Sequence, residues 1–398
     1  MRLIKVGNKK TAGEFLDVPR IIYKNDPNWI CPPDNIINSI FNPRKNSYYK
    51  EGDAIRWILK DSEGKLIGRV AAFYDEKRAH KYSPPTGGMG FFECINDQNT
   101  ANILFSACQE WLENNGMGAM DGPVNFGEND AYWGLLVEGF TPPAFGMNYH
   151  PPYYKDLFET FGFRPFFEQE SKHLDLTKPV PERFWKIAEW VIRKPGYTFL
   201  HFKKNQIDKF AQDIVEIYNT AWIYHEHFAP LTIEKVRKSF EEAKNIIVEE
   251  FIWFVYHENK PIALFVMLPD MNQVFRLFNG KMTLWNQLRF LFLKSGKLVN
   301  RARVTIMGVI PKFQGIGIES AIFWHLKDPI FKKRTHYTEI EISWVGDFNP
   351  KMKATLDALG ANFGKKHITY RKLFNKEIKY HRAQSIPEVK GEFFYNKK

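Results

Sequence analysis

The stretch Val309-Ile-Pro-Lys-Phe-Gln314-Gly-Ile-Gly317 lies between a β-branched run that starts at Val304 and an apolar, helix-patterned segment. Glycines between a strand and a helix let an anion approach the backbone, and the helix start offers unpaired N–H groups and the positive dipole end. Gln314, Gly315, Ile316 and Gly317 are therefore candidate ligands of a phosphate, with the carboxylate Glu319 in the helix's first turn. A tight turn is the other use of such glycines. Two acids are candidates for proton transfer. Asp270 ends a strand in Leu-Pro-Asp-Met-Asn and either takes a proton or caps a turn beside Asn272. Glu226 stands between His225 and His227, too few ligands for a metal site, so no metal is expected. A third group lies in GPVNFGENDAYWG and the tyrosines after it. Asn125, Asn129, Tyr132, Tyr149 and Tyr153 could bind an acceptor, or the segment could be an ordered connector.

The elements that would position these residues form two similar series. In the second, a helix is expected near Asp208–Trp222 and a strand pair about His257-Glu-Asn-Lys. The glycine loop then lies between strand and helix, and YTEIEISWV reads as the next strand. Asn349-Pro350 starts a helix, Gly360 stops it, and HITYRKLF closes the series. In the first, a hairpin turns at Ser62-Glu-Gly, a helix is capped at Asn99 or Thr100 and stopped by Gly116, and FEQESKHLDL is the last strand. Strand, helix, strand, helix, strand thus occurs twice, which predicts a tandem α/β repeat: residues 1–180 without a phosphate loop and 181–398 with one. In the first copy Asn96-Asp-Gln-Asn99 takes the loop's place.

The 398 residues, 44% hydrophobic and 25% charged, fit a folded two-domain chain. The aromatic content of 16%, with 35 Phe, points to ring-rich cores or a ligand tunnel. No apolar run reaches the roughly 18 residues of a membrane span, and no secretory leader is apparent, so a cytoplasmic protein is expected. The net charge of +11 lies entirely in residues 181–398, which suits phosphate-bearing ligands, nucleic acid or an anionic membrane surface, or is solvated surface charge. LWNQLRFLFLK, flanked by cations from Lys281 to Arg303, either packs as a core helix, the favoured reading, or lies on the anionic inner membrane surface.

Residues 303–373 resemble the core of the GNAT acyltransferase superfamily. Gln314 and Gly317 fit its acyl-CoA loop, and Asn349, Gly360 and Tyr370 fit in order, whereas Glu319 replaces the usual Gly or Ala. Residues 122–154, with IYNTAW, LPDMN and Gly280, are similar to two-domain bacterial GNAT-like proteins, a group that includes bacterial ceramide synthases. The resemblance implies a mixed α/β sheet in tandem GNAT-like folds and acetyl-CoA or a longer acyl-CoA as co-substrate. Its pyrophosphate would lie on the loop, with Val309 and Asn349 beside the cofactor. It implies N-acylation of a small-molecule or lipid amine. The helix Tyr that protonates the leaving thiolate in many members is replaced by Leu356. Two rivals stand: a Fem-type aminoacyl transferase using aminoacyl-tRNA, against which no long charged helical hairpin is apparent, so nucleic acid is not expected; and a non-catalytic acyl-CoA-binding protein.

Overall fold

A computed structural model describes residues 1–128, 131–223 and 230–384. The chain runs β1 (Arg2–Lys5), α1 (Lys9–Ile22), α2 (Asp34–Ile40), β2 (Gly52–Lys60), β3 (Leu66–Asp75), α3 (Glu76–Ala79), β4 (Thr86–Cys94), α4 (Gln98–Asn114), β5 (Ala119–Gly122), β6 (Leu135–Glu138), α5 (Tyr154–Phe161) and β7 (Arg164–Asp175). It continues through α6 (Glu182–Ile192), β8 (Tyr197–His201), α7 (Ile207–Ala221), α8 (Ile233–Ala243), β9 (Ile252–His257), β10 (Lys260–Pro269), α9 (Asn272–Phe275), α10 (Leu284–Leu293), β11 (Arg301–Val309), α11 (Ile318–His325), β12 (Glu339–Gly346), α12 (Pro350–Ala358) and β13 (Asn362–Leu373). Two compact units result. The first holds Met1–Gln169, Asn272–Leu291 and Lys365–Ala383, and the second Glu170–Met271 and Phe292–Gly364. The sequence reading drew one cut at 180/181; the units are instead discontinuous in the chain.

In the first unit the strands run β1-β2-β3-β4-β5-β13-β7, with β6 also paired to β13. The strand next to β5 is thus the last strand of the chain, in register from Tyr370↔Gly122 to Leu373↔Ala119. Helix α4 buries Ala101, Leu104, Phe105, Cys108 and Leu112, one face of a 3.6-residue period. Phe105 packs on Phe92, Phe158 and Phe163 with ring centroids 4.6–5.3 Å apart. In the second unit the order is β7-β12-β11-β10-β9-β8. Hairpin β9–β10 turns at Glu258 and Asn259, both at positive φ, as a two-residue turn that matches strand twist requires. Helix α7 lays Phe210, Ile214 and Ile217 into a core with Phe254, and Phe202 stacks on Phe240 at 4.7 Å. Each unit therefore has a core rich in phenylalanine.

One expectation fails plainly. Helix α10 has no buried residue, so it is not the core helix favoured from sequence. Arg301 and Arg303, read as part of its cationic flank, are buried in β11.

Candidate active site

In the second unit β11 and β12 pair in parallel from Arg301↔Glu339 to Val304↔Ile342, and there the pairing ends. At that point β11 carries a bulge: Val266 of β10 faces Ile306 and Met267 faces Val304, so Thr305 is the extra residue. Its hydroxyl donates to the Val266 carbonyl at 3.2 Å. A bulge bends and twists its strand, and here it coincides with the divergence of β11 from β12. Beyond it, Met307, Gly308 and Val309 pair with β10 on one edge only. Among the described residues the other edge of this segment has no strand partner, so its backbone groups can pair with an extended, amide-bearing ligand. Gly308 is needed for close approach, since a Cβ there would lie 2.1 Å from the Trp222 ring.

The glycine loop follows the C-terminal end of β11. Gln314 Nε2 donates to the Val309 carbonyl at 2.9 Å, tying the loop to the strand. Gly315 and Gly317 have φ of +77° and +89°, the left-handed region that disfavours side chains. Gly317 is the N-cap of α11 and faces α6, where a Cβ would meet Ile187 at 2.4 Å. Nothing lies within 4 Å of a Cβ at Gly315, so that position opens outward. Among the described residues, the N–H groups of Gly315, Ile316, Gly317 and Ile318 donate to no backbone acceptor. This is the arrangement of an anion site at a helix start.

Glu319 qualifies that site. It is buried in the first turn of α11, and burial raises its carboxyl above the usual range against a bond from its own backbone N–H. A folded-state value above the unfolded one near 4.3 stabilises the protein while the group stays protonated. That contribution is present at low pH and is lost as pH rises from about 4.3 through the folded value. Glu319→Gln is expected to stabilise the protein at neutral pH and to flatten this decline. Denaturant midpoints across pH 4–8 check it; an unchanged slope would show that Glu319 does not control it.

Asn349, which the resemblance places beside the cofactor, caps α12, with Oδ1 accepting the Met352 N–H at 3.3 Å. Leu356 is buried in the same helix, and Tyr370 donates to Glu159 at 2.9 Å in the first unit. Asp270 is not brought to the loop. It lies beside Arg301, at the far end of β11 from Val309, about 26 Å away at ~3.3 Å per residue. Its Oδ2 accepts from Arg301 Nε and Nη2 at 2.7 and 2.6 Å, in full burial. Arg301 also meets Glu339 at 3.4 Å, and Glu339 meets His173 at 2.9 Å. A carboxylate bound this way anchors a buried guanidinium, and the base role read from sequence is not carried forward. Glu226 and Asn129 lie outside the described residues.

The described acceptor candidates, Asn125, Tyr132, Tyr149 and Tyr153, lie in the first unit. Tyr132 and Tyr149 line a cavity of about 50 Å³ together with Arg69, Glu93, Asn148 and His150, room for a few waters. Tyr149 donates to Asp26 at 2.8 Å and Tyr153 to the Cys94 carbonyl at 2.8 Å. Asn125 Oδ1 is buried with no hydrogen-bond partner. Sequence reading missed the centre of this cluster. Arg69 donates to the Phe15 carbonyl and pairs with Glu93 at 3.4 Å, and Tyr154 donates to Glu93 at 3.0 Å. Burial raises the Glu93 carboxyl despite Arg69. Burial and then His367 lower the His150 imidazole to about 3, and its Nδ1 accepts the Leu136 N–H at 3.1 Å. Arg69 and Glu93 are separate positions on neighbouring strands, which no local pattern links. In β11 the isolated Gly308 within a strand pattern was a legible sign of close approach.

Among the described residues the matching edge of the first unit is paired. Strand β4 leaves β5 after Gly88↔Asp121, but the next residues stay on it: Val124 N–H donates to the Met89 carbonyl at 2.8 Å. A Cβ at Gly90 would lie 1.9 Å from the Val124 carbonyl oxygen. At the start of α4 the Asp97 carboxylate takes the Thr100 N–H, so the cap differs from the expected Asn99 or Thr100. A carboxylate already occupies the place a phosphate would need.

Strand order, bulge, divergent parallel pair and glycine loop define a mixed α/β protein with a tandem GNAT fold. A solved tandem GNAT protein from the clavulanic acid biosynthesis pathway superposes with a TM-score of 0.58 at 10% identity, over 95% of this chain and 99% of that one. The chain is also 26% identical over 379 residues to the bacterial ceramide synthase of Caulobacter vibrioides (strain NA1000 / CB15N), covering 94% of this chain and 97% of that protein. It is 27% identical over 373 residues to Protein YghO of Escherichia coli (strain K12), covering 92% and 93%. No protein-family model matches the chain. Among the described residues no helix is long and apolar enough to cross a membrane.

Proposed function

We propose that the protein is an acyl-CoA-dependent N-acyltransferase whose acceptor is an amine bearing a long apolar chain. The observation that carries the donor is the open edge of β11 beyond Thr305, ending at the uncapped N–H groups of residues 315–318. The pantetheine arm of coenzyme A is an extended chain with amides, and its other end is a pyrophosphate. That one edge offers partners for both parts. The thioester would stand near Thr305, where β11 and β12 part. There the amine nitrogen attacks the carbonyl carbon, the C–N bond forms, the C–S bond breaks, and the proton the nitrogen loses balances the one the thiolate takes up, directly or through solvent. A thiol of pKa about 8.5 leaves without a dedicated acid, which suits a buried Leu356 in place of a tyrosine. The acceptor class is supported by the similarity to a bacterial ceramide synthase.

The loop is tested at Gly315, because a change at Gly317 strikes α6 before it reaches any ligand. Asp and Asn tolerate the left-handed backbone, so Gly315→Asp and Gly315→Asn differ mainly in charge. The expected result is that Gly315→Asp weakens long-chain acyl-CoA binding at least about 10-fold more than Gly315→Asn at low salt, measured by calorimetry. Wild-type affinity in both variants would remove the phosphate from this loop.

A further inference from the structure

Helix α10 is inverted relative to a helix of a folded core. Its large apolar residues Leu284, Trp285, Leu288, Leu291 and Phe292 fall on one stripe of the 3.6-residue period. All are exposed, Leu284 at 80% and Phe292 at 83%. The opposite face meets the protein. Phe290 stacks on Phe275 at 5.3 Å, and the Arg289 guanidinium sits over the Phe278 ring at 5.4 Å. The helix start is held by Thr283 Oγ1 accepting the Asn286 N–H and by Asn286 Nδ2 donating to the Lys281 carbonyl.

The charges of its own chain segment are of one sign. No Asp or Glu occurs between Asp270 and Glu319, and Lys281, Lys294 and Lys297 flank the helix at its two ends. Lys281 reaches Asp34 at 3.1 Å and is still more than half exposed. An apolar stripe with a Trp and cationic flanks matches a surface that is apolar inside and negative at its face. A second copy of this chain would place like charges together, which opposes association.

We propose that α10 is an interfacial anchor that lays Leu284, Trp285, Leu288, Leu291 and Phe292 into an anionic lipid bilayer. The anchor is independent of the proposed reaction, and its test uses no turnover. The full chain is floated with vesicles of phosphatidylcholine alone or with phosphatidylglycerol added. Binding is expected to be at least about 10-fold tighter to the anionic vesicles and to fall with salt. The triple variant Trp285→Ser, Leu288→Ser, Phe292→Ser is expected to lose at least about 100-fold in vesicle affinity with its unfolding midpoint retained, since these side chains are exposed. Lys294→Gln with Lys297→Gln is expected to remove most of the preference for phosphatidylglycerol. Wild-type chain that stays off anionic vesicles overturns the proposal, as does a triple variant that binds them like wild type. Self-association abolished by the triple variant, without vesicle binding, overturns it in favour of contact between copies.

Discussion

With a long-chain acyl-CoA as donor, kcat/KM over a series of primary amines is expected to rise about 4-fold for each methylene added. The factor follows from about 0.8 kcal/mol per methylene taken out of water, so five methylenes give on the order of 1,000-fold. The phenylalanine content does not motivate this prediction, because Phe92, Phe105, Phe158, Phe202 and Phe254 fill the two cores. Nor does the cavity beside Tyr132 and Tyr149, which at about 50 Å³ has no room for a long chain. The motive is the 26% identity to a bacterial ceramide synthase over nearly the whole chain. Initial rates under subsaturating amine measure it directly. A flat series, with short polar amines as good as long ones, would sink the lipid acceptor and leave only acyl transfer to an amine. Activity that instead requires aminoacyl-tRNA would remove the acyl-CoA donor as well.

Asp270→Ala is expected to cost about 3 kcal/mol of stability, and this loss is expected to be its primary effect. Arg301 sits in full burial with two of its N–H groups on Asp270, and removing the carboxylate leaves a buried guanidinium short of its main partner. Glu339, at 3.4 Å, compensates in part, which places the cost at the lower end of what such a rupture produces. Denaturant unfolding gives the loss, and the pH profile of the reaction under conditions where the variant is folded gives the second readout. The profile is expected to keep its shape, because Asp270 stands at the far end of β11 from the loop. A variant with an unchanged unfolding midpoint and a rate lower by roughly 100-fold would restore Asp270 as the base.

What the sequence determined is what neighbours in the chain decide. Gly315 and Gly317 mark the left-handed turn before α11 because only a residue without Cβ takes that backbone easily. Asn349 before Pro350 starts α12, and Gly360 at φ +85° stops it, by cap chemistry that spans a few residues. Those signals were enough to outline the repeated element series and to single out the second copy as the one with a glycine loop before a helix. The tertiary structure decided the rest, because each remaining feature depends on a partner distant in sequence. The apolar period of α10 predicts a stripe, but a period has no direction, and only the packing of Phe290 on Phe275 turns that stripe to solvent. Asp270 reads as a free acid until Arg301, on another strand, is placed against it. The opening beside β11 arises where the Thr305 bulge breaks register with β10, and the matching place in the first unit is filled when Val124 bonds to Met89. A hydrogen bond between strands reports on both chains at once, so neither segment alone carries the information.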